Sequence, residues 1–220
     1  MAERVIDAAS TAEVMQSLNR LLEIADRPTQ GPSPTFEKPH LVLAFMTIGE
    51  SGIIGRQALA AKSGLKEGPV RTVLKKLRED GYVRSNASGC YLTDAGRQVY
   101  ESLRSRLSPF ASLQGSKLTI GAHQVGVVVR GGGRAVQSGL EQRDSVIKLN
   151  ALGATTFVIK DGRFSVPGGS SDPEKEFPSK VWSALKDSLG PKNGDAVVVC
   201  GADDETTAKV GALSAALTLL

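Results

Sequence analysis

Three consecutive glycines, Gly131, Gly132 and Gly133, stand between Arg130 and Arg134, and Arg143 and Asp144 follow a short way on. Successive glycine N–H groups can converge on an anion, and flanking guanidinium groups can neutralise it, so this spacing could hold a phosphate or carboxylate. The run fits neither GxxxxGK[ST] nor GxGxxG, so no nucleotide motif applies. A plainer reading is a turn out of the strand Gln124–Arg130, with Ser138 and Glu141 as a capping box for the next helix. At about 100° per residue, Arg143 falls in the sector shared by Leu140, Val146, Ile147, Asn150 and Ala151. An arginine on a core face needs a carboxylate or a ligand. Asp195, Asp203 and Asp144 of the partner subunit are the candidate acids, and a small anionic ligand beside the glycines is the alternative. The candidate ligand-binding set is therefore Arg130, Gly131, Gly132, Gly133, Arg134, Arg143 and Asp144.

A second constellation lies in "KEGPVRTVLKKLREDGYV". Val70, Val73, Leu74 and Leu77 recur at helical spacing on one face, while Arg71, Lys75 and Arg78 recur on another, beside Thr72 and Lys76. One face would anchor to a core and the other would offer long donors to phosphates and base edges, as a recognition helix requires. The hairpin that follows, "YVRSNASGCYLT", carries Arg84 and Asn86 towards the same partner. The candidate DNA-binding residues are Arg71, Thr72, Lys75, Lys76, Arg78, Arg84 and Asn86. An ordinary solvated basic face is the alternative.

Other constellations are weaker. "VVVCGADDETTAKVG" resembles a phosphoribosyltransferase loop, but only Glu205 separates Asp204 from Thr206, and Ala208 and Lys209 replace the needed glycine. Asp203, Asp204 and Glu205 read better as the cap and charge match of the last helix. The two histidines, His40 and His123, have no nucleophile that sequence places beside them. His40 reads as a surface or capping residue, His123 as a lone residue before a strand. The two cysteines, Cys90 and Cys200, lack companions at metal-ligand spacing and read as reduced, buried thiols. No catalytic residue, metal or cofactor is expected.

Charge is unevenly spread. Residues 39–107 hold 11 basic and 6 acidic residues, a net +5 that exceeds the whole chain's +4. A polyanion would bind there. No apolar run is long enough to span a membrane, and "MAERVIDAAS" lacks the apolar core of a secretory signal, so a cytoplasmic site of action is expected.

These residues need elements to position them. Residues 1–38 read as one helix followed by a proline-rich linker. The helix has Ser10 and Glu13 as a capping box and an apolar stripe of Val14, Leu18, Leu21, Leu22 and Ala25; the linker contains Pro28, Pro32 and Pro34. The stripe must be buried on the body of its own chain or on a dimer partner. Residues 39–107 read as helix, helix, helix, hairpin, helix, a winged helix-turn-helix DNA-binding domain. Residues 117–220 read as β-α-β-β-α-β with an added terminal helix, a ferredoxin-like sandwich for ligand sensing or dimerisation. The expected fold class is α+β in two domains.

The segment from "PTFEKPHLVLAFMTIGE" through "LREDGYV", together with "GLEQRD" further on, resembles an uncharacterised archaeal family of two-domain proteins. In that family a winged helix precedes a domain of unknown function. The resemblance implies a transcriptional regulator by architecture and supplies no ligand. The leading expectation is a homodimeric regulator that binds double-stranded DNA and is not an enzyme. The alternative is a metabolite- or nucleotide-binding enzyme with a winged-helix interaction module.

Overall fold

The computed structural model describes residues 8–27 and 36–220. The chain divides into two compact units, Met1–Leu103 and Arg104–Leu220.

In the first unit, α1 (Ala8–Asp26) packs on α2 (Lys38–Ser51) and α4 (Glu67–Glu79), with α3 (Arg56–Ser63) between α2 and α4 in sequence. Leu18, Leu21 and Ile24 of α1 are buried, so its stripe is covered by its own chain. The helix already includes Ser10, so its start is not there; the side chains of Ser10 and Glu13, and the prolines Pro28, Pro32 and Pro34, lie outside the described residues. Helix α2 is buried continuously from Leu41 to Ile48, as its unbroken apolar run requires. Pro39 sits in its first turn, where a missing N–H leaves no bond unmade. Gly64 closes α3 in the left-handed conformation. Strands β1 (Val83–Asn86) and β2 (Gly89–Leu92) form the hairpin, and α5 (Asp94–Arg106) follows, with the Thr93 hydroxyl accepting from the Gly96 N–H at 3.1 Å.

The second unit is built on a five-stranded antiparallel sheet. Its strands are β3 (Ala111–Ser112), β4 (His123–Val129), β5 (Gly153–Lys160), β6 (Arg163–Ser165) and β7 (Ala196–Ala202), in the order β3-β4-β7-β5-β6. Asp161 and Gly162 both take positive φ at the β5–β6 turn, as a two-residue hairpin of this twist demands. The α+β class and the added terminal helix are as expected. Two details depart from a ferredoxin-like sandwich. The last strand, β7, rather than a strand of the β5–β6 hairpin, lies between β4 and β5. The helices also cover both faces: α8 (Val181–Leu189) one, α6 (Leu140–Ile147) and α9 (Glu205–Leu217) the other.

The reason is in the strands. Every residue of β7 is buried, so neither face can be left to water. Val197, Val199 and Phe157 pack against Trp182 and Leu185 of α8. On the opposite face Gly211 of α9 lies against the Cys200 sulfur, where a larger side chain would collide.

Candidate nucleic-acid interface

Helix α4 divides as its sequence spacing predicts. Val70, Val73, Leu74 and Leu77 are buried, while Arg71, Lys75 and Arg78 are exposed. Arg71 faces Glu67 at 3.6 Å and Lys75 faces Glu79 at 3.8 Å, each one helical turn apart. Both pairs are exposed and longer than a hydrogen bond, so they hold the cations weakly and release them readily to a stronger anion. The Arg78 Nε donates to the Leu74 carbonyl at 3.1 Å, which ties its side chain back along the helix. Thr72 is half-buried, with its hydroxyl 3.5 Å from the Gly68 carbonyl.

Lys76 departs from the expected set. It is 4% exposed, and its ammonium donates to the carbonyls of Ile24 (3.1 Å), Ala25 (2.8 Å) and Arg27 (2.6 Å). These are the orphan acceptors at the C-terminal end of α1, so Lys76 is the cap that docks that helix and does not reach a partner. Burial lowers its pKa, opposed by the nearby Asp26 carboxylate.

The hairpin stands beside this helix. Arg84 is exposed opposite Tyr91, and the Asn86 side-chain carbonyl accepts from the N–H groups of Ser88 (2.9 Å) and Gly89 (3.2 Å), shaping the tip. Ile54 bridges to Cys90 through paired backbone bonds of 2.9 and 3.0 Å, extending the wing by one more strand-like residue. Gly89 has φ +144°, and a side chain there would strike the Ile54 carbonyl. That bridge draws the start of α3 against the wing and brings in Arg56, which sequence reasoning missed. Arg56, Arg71 and Arg78 line one cleft of about 250 Å³ with Ser85 and Asn86. Three guanidinium groups around a small cleft with amide and hydroxyl donors can hold a backbone phosphate. The signal for Arg56 was its position as the first residue of the short helix that precedes α4.

The glycine loop serves another purpose. Asp195, 5% exposed, accepts from Arg130 Nη1 at 2.8 Å and from the backbone N–H groups of Gly131 and Lys192, both at 2.9 Å. Arg130 also donates to the carbonyls of Leu189 (2.9 Å) and Gly190 (2.7 Å), capping the end of α8. The loop does hold an anion, and the anion is the protein's own carboxylate. Gly132 and Gly133 are needed for close packing: side chains there would meet Val129, and Gly194 and Val158, respectively. Arg134 is exposed.

Arg143 is exposed as well, so the inward placement expected for it is corrected, and Asp144 beside it faces solvent. The buried residues of α6 are Gln142 and Val146, with the Gln142 amide donating to the Thr218 hydroxyl at 2.6 Å. Leu140 and Ile147, assigned to the core, are 58% and 46% exposed. The helix cap also differs: Gly139 is the N-cap, and Ser138 accepts only a long 3.4 Å bond from Leu140.

The acidic run before α9 is a cap, as its spacing suggested. Asp204 accepts from the Thr207 N–H at 2.9 Å and from its hydroxyl at 2.6 Å, and these bonds hold its pKa below the usual carboxylate value. His40 Nδ1 accepts from the Glu37 N–H at 3.2 Å within the capping box of α2, and burial lowers its pKa. Among the described residues no group of His, Cys, Asp and Glu could hold a metal ion, and no helix is long and apolar enough to cross a membrane.

Comparison with known proteins follows the same division. Residues 38–107 match the model of the CggR N-terminal DNA binding domain, and residues 120–219 match a domain of unknown function, DUF4443. The two-domain resemblance holds. A hypothetical protein from Pyrococcus horikoshii OT3 shares the fold at a TM-score of 0.66 and 24% identity, covering 82% of this chain and 91% of that one. Ligand-free NadR aligns at 20% identity over 47% of this chain and 72% of its own, with a TM-score of 0.29. No curated protein matches the chain in sequence.

Proposed function

We propose that this protein is a DNA-binding transcriptional regulator whose first unit reads double-stranded DNA and whose second unit senses a small molecule or holds a homodimer. The observation that carries the reading is the division of α4, with Val70, Val73 and Leu77 locked in the core and Arg71, Lys75 and Arg78 exposed beside the wing. The match of residues 38–107 to a DNA-binding domain model supports it. Arg71, Thr72 and Lys75 would enter the major groove. Arg56 and Arg78 would clamp a phosphate at the cleft, and Arg84 and Asn86 would follow the backbone through the wing. Lys76 is left out, because its donors are spent on α1. For the dimer, the exposed Leu140 and Ile147 on one side of α6 are the supporting feature.

The test is binding to a fragment of the chain's own upstream DNA, followed by fluorescence anisotropy across a salt series. Each phosphate contact removed should flatten the logarithmic salt slope by about 1. Arg56→Ala and Arg78→Ala should do this at little cost in stability. Binding without salt dependence, or unaltered in the Arg71→Ala/Lys75→Ala double variant, would sink the DNA reading.

A further inference from the structure

The α8 face of the second unit is incompletely covered. After β6 the chain loops out through the short helix α7 (Pro173–Glu176) before α8 begins, leaving a cleft of about 660 Å³ between that loop and the sheet. This lies within the range of ligand sites, roughly 300–1,000 Å³. Its walls are mainly apolar, with Phe157, Trp182 and Leu118 among them. Phe157 and Trp182 meet edge to face at 5.3 Å. The indole N–H donates to the Phe177 carbonyl at 2.9 Å, so the only polar atom of that ring is satisfied and the ring offers apolar surface. Phe177 itself lines the cleft and is 66% exposed, an aromatic side chain with unused apolar area beside an apolar hole.

The polar groups around the cleft specify a head group. Lys117 is exposed at the lining and its ammonium has no hydrogen bond or ion pair among the described residues. Ser170 and Ser179 also line the cleft, and their hydroxyl oxygens accept from the N–H groups of Asp172 (3.2 Å) and Val181 (3.3 Å). That leaves both hydroxyl protons to donate. One cation and two hydroxyl donors suit a single carboxylate, while Glu176 on the same lining opposes a second negative charge.

We propose that this cleft binds a small monocarboxylate with an aromatic or branched aliphatic body, the ring or chain against Phe157, Trp182 and Phe177 and the carboxylate at Lys117. This deepens the sensing role given to the second unit and rests on that reading only for its consequence, since binding can be measured without DNA.

Trp182 is the sole tryptophan, so its emission reports this cleft alone. The full chain is titrated with 3-phenylpropionate, 4-methylpentanoate, 3-phenylpropylamine and phenylsuccinate. A saturable change in Trp182 emission is expected with the two monocarboxylates, at least tenfold weaker with the amine and the diacid. Lys117→Ala and Phe177→Ala should each weaken 3-phenylpropionate binding about tenfold. Both side chains are exposed, and unchanged unfolding midpoints would confirm that the variants fold. No saturable change with either monocarboxylate, equal affinity in the variants, or preference for the amine would overturn the proposal. DNA affinity measured with and without 3-phenylpropionate separates the two readings. Unaltered DNA affinity refutes sensing and leaves the site standing, whereas absence of any DNA binding refutes the first unit's role alone.

Discussion

Replacing Asp195 by alanine should unfold the second unit far more easily than any change at the exposed arginines of the same region. The carboxylate accepts three bonds, from the Arg130 guanidinium and from the N–H groups of Gly131 and Lys192, and it is almost fully buried. Removing it leaves the Arg130 guanidinium, 27% exposed, without its counter-charge and held only by the Leu189 and Gly190 carbonyls, and it frees two backbone donors. Breaking a buried pair by deleting one partner costs about 3–5 kcal/mol, and partial exposure of Arg130 places this case near the lower end. Asp195→Asn keeps an acceptor and loses the charge, so about half that cost is expected. Urea unfolding followed by Trp182 emission reads this unit directly, because no other tryptophan contributes. Arg134→Ala and Arg143→Ala, both at exposed positions, should cost less than about 0.5 kcal/mol in the same assay. Inorganic phosphate should not stabilise the second unit, since the loop's donors are already taken. An Asp195→Ala cost below about 1 kcal/mol, or phosphate protection lost in Arg134→Ala, would refute this account of the glycine loop.

Lys76→Met should destabilise the first unit by about 2 kcal/mol, because three α1 carbonyls lose a charged donor, yet leave the salt slope of DNA binding unaltered; chemical denaturation and anisotropy on one variant check both halves. Burial pushes the Cys200 thiol up to about 12, so it should resist thiol reagents at neutral pH until the chain unfolds. Its folded pKa lies above the unfolded one. The stability it contributes is therefore complete below about pH 8.5 and is lost as pH rises towards 12; Cys200→Ala should flatten the alkaline decline in a pH series of unfolding curves. Asp204→Ala should cost about 1 kcal/mol through loss of the α9 cap. With its pKa depressed, that contribution is present above the ordinary aspartate value of 3.8 and disappears as pH falls below it, so wild type and variant should converge in acid.

How much of this was legible depended on how local the deciding contacts are. In the first unit the order of elements and the buried face of α4 follow from spacing within a single helix or turn. Lys76 did not follow, because Lys75 and Lys76 are chemically identical neighbours and only the arrival of α1 decides which is buried. Arg56 was missed for a related reason. Its place in the cleft depends on the bridge between Ile54 and Cys90, which no pattern within α3 records.

The second unit carries a pattern whose consequence is topological. "AVVVCGA" is apolar at every position, and a strand with one solvated face must alternate. The run alone therefore argued for helices on both faces of the sheet and against a two-layer sandwich. The glycine loop is the converse case. Its spacing allowed either an anion cradle or a plain turn, and the anion that Arg130 and the Gly131 N–H hold lies on Asp195, 65 residues on in the chain, next to the fully buried strand β7. Arg143 was misplaced by averaging an apolar sector over a longer helix than exists. Once α6 is confined to Leu140–Ile147, the pair Gln142 and Val146 sets the buried line, and Leu140 and Ile147 turn outward with Arg143. An arginine framed by two exposed apolar residues no longer needs an internal partner. It has the composition of an interface, where a guanidinium stacks beside aliphatic side chains, and this is why the dimer reading attaches to α6 while the ligand reading moves to the opposite face of the sheet.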